Sequence, residues 1–172
     1  MDKSTHTLFD AGSWSDDITW ELYTTSVLPP IELCSAVMCV AISDGKVVLT
    51  RSERGWGMLG GHIEAGETLE DALRREALEE GGFTIDTHRL FAVRKITSRR
   101  PIPHQQEGRT YPHPIGYLPY YWATTNHDLK HPTGEEIIES SSFDIAEVPL
   151  LRTRDQIVID AGWTAYNTQR QP

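Results

Sequence analysis

Residues 61 to 83, GHIEAGETLEDALRREALEEGGF, constrain this chain more than any other stretch. They carry seven acidic and two basic side chains, a net charge of −5 within a chain whose formal charge is −9. Helix signals frame them. Thr68 reads as an N-cap, with Asp71 at the third helical position in an approximate capping box. Leu69, Ala72, Leu73 and Ala77 fall on one apolar stripe, and Gly81-Gly82 supplies a left-handed stop. The spacing therefore predicts a helix over Thr68 to Glu80. On it Glu76, Glu79 and Glu80 stand at i, i+3 and i+4 and project from one side. Like charges so placed repel one another. Either they form a solvated charged face, or a divalent cation removes the repulsion. Carboxylate oxygens are hard ligands, which favours Mg²⁺ or Mn²⁺ over zinc. Arg75, four residues before Glu79, is placed to orient one of the carboxylates.

Around this segment the chain alternates strands and helices. Residues 1–30 are polar, with scattered Trp14, Trp20 and Tyr23, and end at Pro29-Pro30. They read as an N-terminal extension, with a strand pattern at Trp20 to Thr24, that adds an edge strand or contacts a partner chain in a homodimer. Ile31 to Ile42 reads as a buried central strand. Ser43-Asp44-Gly45 is a turn signal, and Lys46 to Arg51 the returning strand of a hairpin. Arg54 to Gly60 is a glycine-punctuated loop. Further strands are expected at Leu90 to Thr97, Leu118 to Thr125 and Ile137 to Ile145. Thr153 with Gln156 suggests a capping box before a closing helix. The expectation is an α/β (α+β) fold over residues 31–172: a single domain with a mixed β-sheet between helices.

The length of 172 residues suits one self-sufficient core. The acidic balance argues against DNA and disfavours RNA, since non-specific nucleic-acid binding draws on basic surface. A small nucleotide remains compatible, because a bound divalent ion reverses the local field. The N-terminus lacks the apolar core of a signal peptide, and the most apolar run, Cys34 to Ile42, is too short to span a bilayer. A cytoplasmic location without a membrane partner is expected. Cys34 and Cys39, if on one strand, point to opposite faces and cannot pair, so they read as free thiols.

Gly61, Glu67, Arg75, Glu76, Ala77, Glu79, Glu80, Gly82 and Phe83 match the pattern G-x5-E-x7-R-E-U-x-E-E-x-G-U, the Nudix box. Every glycine, glutamate and arginine is in register. Ala77 is a small member of the aliphatic class at its position, and Leu59 stands where many members have proline; neither departure touches a ligand position. The segment thus resembles that of MutT-like Nudix hydrolases, as does the order of strands and the later FDIAEVP segment. The resemblance implies an α/β/α sandwich in which the box forms a loop-helix-loop. It also implies hydrolysis of a pyrophosphate bond in a nucleoside diphosphate linked to another moiety, such as a nucleoside triphosphate, ADP-ribose or a nucleotide sugar, with Mg²⁺ (or Mn²⁺) as cofactor. Carried over by position, Glu76, Glu79 and Glu80, with the Gly61 carbonyl, become metal ligands. Glu67 and Arg75 brace the loop. The catalytic set is Glu76, Glu79, Arg75 and Glu139. Glu76 is the first candidate for general base, with Glu139, Glu136 and Glu135 as alternatives.

For the rest of the substrate, the sequence offers a basic window from Arg94 to Arg109 and, by family position, Arg51. Arg51, Arg94 and Arg99 are the candidates for binding the nucleotide. Trp56, Tyr111, Tyr117 and Phe143 are candidates for stacking on a base, against the alternative that they are core. The pair His127 and His131 has the spacing of a helical zinc site, but Pro132 and the turn after it argue against a helix there. A non-catalytic, nucleotide-sensing Nudix domain is the alternative reading, although such domains commonly lose box residues and this one has kept them all.

Overall fold

The apolar, β-branched run after the double proline forms strand β3 (Ala36–Ser43), and the rest of the sheet is assembled on it. The computed structural model describes residues 6–103, 111–125, 132–134 and 136–169. The other strands are β1 (Thr7–Ser15), β2 (Ile18–Thr24), β4 (Lys46–Ser52), β5 (Gly55–Gly57), β6 (Leu59–His62), β7 (Thr87–Ser98), β8 (Ile115–Thr125) and β9 (Glu139–Phe143). The helices are α1 (Leu69–Glu79) and α2 (Gln156–Gln169). The strands run in the order β1-β2-β7-β8-β3-β4-β5, with β6 also paired to β3 and β9 to β4. The sheet is mixed: β3 lies parallel to β8 and antiparallel to β4 and β6.

Strand β3 is apolar from Ala36 to Ile42 because both of its faces are covered. Val37, Cys39 and Ala41 pack beneath Leu69, Ala72, Leu73 and Ala77 of α1. Val40 and Ile42 pack beneath Val158, Ile159 and Tyr166 of α2. The two helices thus lie on opposite faces of the sheet, giving the α/β/α layering. β3 divides its free edge between two partners. Ala41 to Ser43 pair with β4, and Ala36 to Cys39 pair with β6, the strand that leads into the acidic segment.

Several elements differ from the sequence expectation in extent. Ile31–Leu33 form a 3-10 turn whose Leu33 amide donates to the Pro30 carbonyl at 3.0 Å, so the strand begins at Ala36. The fixed φ of proline suits the start of such a turn. Cys34 therefore lies off the strand, and both free thiols pack on the α1 side instead of facing apart. The stretch read as a loop from Arg54 contains β5, which pairs with β4. Residues 7–24 form a hairpin whose β2 pairs with β7 from Ile18 to Thr24, so they extend the sheet of their own chain. The Thr153 hydroxyl accepts from the Asp155 amide, while the Gln156 side chain donates to Asp160; the expected box between Thr153 and Gln156 is not formed. His127 and His131 lie outside the described residues. Among the described residues no helix is long and apolar enough to cross a membrane.

Candidate active site

Helix α1 is capped as its sequence predicts. The Thr68 hydroxyl accepts from the Asp71 amide at 3.1 Å, and the Asp71 carboxylate accepts from the Thr68 amide at 3.0 Å. Gly82, at φ +73°, ends the helix. The residues it buries are Leu69, Ala72, Leu73, Ala77 and, on the same stripe, Glu76. A carboxylate is thus placed where periodicity calls for an apolar side chain. It is accommodated because residue 61 has no side chain: a Cβ there would run into the Glu76 Oε1. The glycine opening the acidic segment and the first glutamate of the trio fit one another sterically.

Arg75 ties the loop to the helix. Its Nε and Nη2 donate to the two Glu67 oxygens at 2.7 and 3.0 Å, and Nη2 also donates to the His62 carbonyl at 2.8 Å. Nη1 donates to Glu76 at 2.7 Å and to Glu79 at 3.2 Å. Glu67 in turn accepts from the Glu64 amide at 2.8 Å. One guanidinium therefore fixes three carboxylates and the loop backbone. Glu80 points elsewhere and accepts from the Gly60 amide of β6 at 2.8 Å. That places the acidic cluster at the rim of the sheet, where α1 meets the edge strand.

The electrostatics are uneven. The Arg75 hydrogen bonds hold the Glu67 carboxyl below its ordinary value, and Glu67 in return raises Arg75. Burial pushes Glu76 up despite Arg75. Burial, then the like charges of Glu76, Glu136 and Glu79, push Glu80 up to about 7, with only the Gly60 amide to relieve it. The rim therefore holds more negative charge than one arginine offsets. Among the described residues no three Asp, Glu, His or Cys side chains already converge on one point; Arg75 stands between the carboxylates.

The other sequence candidates divide. The turn before β9 docks on the end of α1, where the Thr133 and Gly134 amides both donate to the Glu79 carbonyl at 2.8 and 2.9 Å. This brings Glu136 within electrostatic reach of Glu80. Glu135 lies outside the described residues. Glu139 faces Arg51 across the β4–β9 register, and their side chains pair at 2.7 Å, which lowers the Glu139 carboxyl. Arg51 also lies 5.8 Å from the Trp56 ring. Arg94 and Arg99 are not at the rim: β8 and β3 separate β7 from β6, and the Arg99 amide donates to the Asp17 carbonyl beside the β1–β2 turn. Trp56 and Phe143 pack edge-to-face at 4.8 Å against the α2-side core, and Tyr117 packs against the α1-side core. The Tyr111 hydroxyl lies 2.9 Å from His62 Nε2, next to Gly61. The role of the Gly60 amide was not anticipated from sequence; the double glycine was its only signal.

A family model described as NUDIX domain matches residues 32–161. Among curated proteins, the chain is 42% identical over 55 residues to an oxidized purine nucleoside triphosphate hydrolase of Danio rerio, covering 29% of this chain and 35% of that protein. It is 34% identical over 73 residues to a MutT-like protein of Streptomyces ambofaciens, covering 41% and 47%. The chain thus spans less than half the length of these curated relatives. Among solved structures, the Bacillus subtilis pyrophosphohydrolase BsRppH is similar with a TM-score of 0.56 at 18% identity, covering 78% of this chain and 77% of that one. The NUDIX domain of Shewanella oneidensis NrtR, complexed with ADP ribose, is similar with a TM-score of 0.58 at 16% identity, covering 78% and 88%. At such identities the structural likeness speaks for the fold.

Proposed function

The chain belongs to the Nudix family, and from that premise we propose that it hydrolyses, with a divalent metal ion, a pyrophosphate bond in a nucleoside diphosphate linked to another group. The observation that carries this reading is the carboxylate pair Glu76 and Glu80. Both are held at the rim, Glu76 by Arg75 and Glu80 by the Gly60 amide, where a single arginine, Arg75, is bonded to Glu67, Glu76 and Glu79.

The donor set fits a hard cation. It consists of carboxylate oxygens and one backbone carbonyl, with no thiol or imidazole, which suits Mg²⁺ or Mn²⁺. Glu76, Glu79 and Glu80, with the Gly61 carbonyl, are the residues that would hold it. When bound, such an ion neutralises diphosphate charge and makes a coordinated water more acidic. Arg75 keeps Glu76 and Glu79 in place through the bonds that also fasten Glu67. Glu76, buried and raised, is the first choice to take the proton from the attacking water. Glu136, within electrostatic reach of Glu80, is the second. Glu139 is the weaker candidate, since Arg51 holds it in its charged, hydrogen-bonded form. The substrate's other end is open among nucleoside triphosphates, ADP-ribose and nucleotide sugars; the names of the Danio and Shewanella relatives support the first two classes.

The test is Mg²⁺-dependent turnover of a panel of nucleoside triphosphates, nucleotide sugars, dinucleotides and capped RNA, with product identification. The double variant Glu79→Gln/Glu80→Gln should lose roughly a thousandfold or more in kcat while keeping its far-ultraviolet circular dichroism. Full activity in that variant would refute the site, and tight binding without product in the wild type would favour a nucleotide sensor.

A further inference from the structure

Gly60 and Gly61 have no side chain by which their backbone can be held, and Gly60 stands at φ +147°. Glycine leaves the chain free to turn, so a carbonyl in such a stretch keeps its direction only if its neighbours are anchored. The Gly61 carbonyl is the one donor of the proposed cation site that is not a carboxylate. It shares its peptide unit with the His62 amide, and His62 is the first residue after the glycines that carries a side chain.

His62 is anchored at both ends. Its carbonyl accepts from Arg75 Nη2 at 2.8 Å. Its imidazole leaves β6 on the other face of the sheet. A Cβ on residue 61 would point at Glu76, and side chains alternate along a strand, so residue 62 faces away from α1. There its Nε2 lies 2.9 Å from the Tyr111 hydroxyl, with the two rings 5.9 Å apart and inclined at 39°. Both residues are half-buried.

Tyr111 is itself braced. Its amide donates to the Ile102 carbonyl at 3.0 Å, and the Ser98 amide at the end of β7 donates to the Pro114 carbonyl at 2.9 Å. Pro112, next to it, lies against Gly116 of β8, where a Cβ would stand 3.5 Å from the Pro112 Cβ. On its other side the β7–β8 connection is tied to the β1–β2 turn, the Arg99 amide donating to the Asp17 carbonyl and Arg100 pairing with Asp17 at 3.0 Å. The hydroxyl therefore projects from a fixed base. It reaches past the start of β3, whose first residue, Ala36, is the register partner of His62. Stacking on a ligand uses a ring face, and a hydroxyl bonded to His62 contributes nothing to it.

We propose that Tyr111 is a positioning residue: through the His62 imidazole it sets the orientation of the Gly61–His62 peptide, and so keeps the Gly61 carbonyl directed at the rim. The assignment rests on the metal-dependent reading above. Arg75 and Tyr111 grip the same residue from the two faces of the sheet, Arg75 by the carbonyl and Tyr111 by the ring. Outer partners of this kind orient a donor without touching the metal, and losing one weakens metal binding by about ten- to a hundredfold.

The test removes the hydroxyl alone. Mn²⁺ affinity of the full chain is measured without substrate, by electron paramagnetic resonance, beside Mg²⁺-dependent turnover. Tyr111→Phe keeps the ring and should weaken Mn²⁺ binding about tenfold. It should raise the Mg²⁺ concentration for half-maximal turnover to match, and leave KM for the nucleotide unchanged at saturating metal. His62→Ala, which keeps the carbonyl, should weaken Mn²⁺ binding at least as much, and adding Tyr111→Phe to it should do nothing further. Unchanged Mn²⁺ affinity in Tyr111→Phe, or effects of the two substitutions that add, would overturn the proposal. So would a raised KM in Tyr111→Leu with wild-type behaviour in Tyr111→Phe, the signature of a ring that stacks on the substrate. Weakened Mn²⁺ binding in Tyr111→Phe, with no nucleotide turned over by wild type, would sink the hydrolase reading and leave the positioning role standing.

Discussion

At the rim of the sheet, Glu76 and Glu80 crowd negative charge that Arg75 only partly offsets; across the sheet, Arg94 is a cation among aromatic rings with no ion-pair partner among the described residues. The two regions have opposite sign. They differ in construction. The rim is built from one helix and the loop before it, held by hydrogen bonds that a single arginine makes to near neighbours in the chain. The Arg94 cluster is drawn from β1, β2, β7 and β8. Charge can thus be gathered locally, by spacing on a helix, or at long range, by packing rings around one side chain. The Arg51–Glu139 pair is the contrast to both: on the surface, with partners in register, it is already satisfied.

Removing the shared arginine at the rim should have the largest effect on the fold. Arg75→Ala leaves Glu67, Glu76 and Glu79 facing one another without a cation, and breaking such a mostly buried pairing costs about 3 kcal/mol. Denaturant unfolding of the metal-free protein checks this; a loss below about 1 kcal/mol would mean that the rim tolerates its charge better than its geometry suggests.

A medium effect should appear with pH. The folded Glu80 carboxyl holds its proton up to about 7 against an ordinary value of 4.5. The folded state therefore binds more protons than the unfolded chain between those values, and stability falls as pH rises through them. Glu76, shifted the same way, adds to the fall. The Tm of the metal-free protein should decline from pH 4.5 to about 7, and saturating Mg²⁺ should restore more of it the higher the pH. In Glu80→Gln the decline should be shallower. Parallel pH curves for wild type and variant would show that Glu80 is not the strained group.

The smallest effect belongs to the satisfied pair. Both side chains of Arg51–Glu139 are more than a third exposed, and Glu139→Gln should leave the denaturation midpoint nearly unchanged. A collapse of kcat in Glu139→Gln with KM unchanged would move the general base from Glu76 to β9 and weaken the contrast between compensated and uncompensated charge.

How far each region was legible follows from the range of the interactions that make it. The helix over 69–79, its cap at Thr68, the glycine stop and the shared side of Glu76, Glu79 and Glu80 are consequences of hydrogen bonds and side-chain directions within a few residues. The sequence by itself therefore determined them; the fit between Gly61 and Glu76, a contact between β6 and α1, came from the tertiary structure. Both faces of β3 being buried was written in its unbroken apolar run. Only the tertiary structure decided that Glu139 is taken by Arg51 while Glu136 comes within electrostatic reach of Glu80, because a strand register sets the first and a turn docked on α1 sets the second. It alone joined Trp20 to Arg94, 74 positions later in the chain, since pairing between β2 and β7 carries no local signature at either strand. Local geometry is fixed by covalent neighbours and can be read from spacing; the choice of partner across a sheet is made by the whole fold.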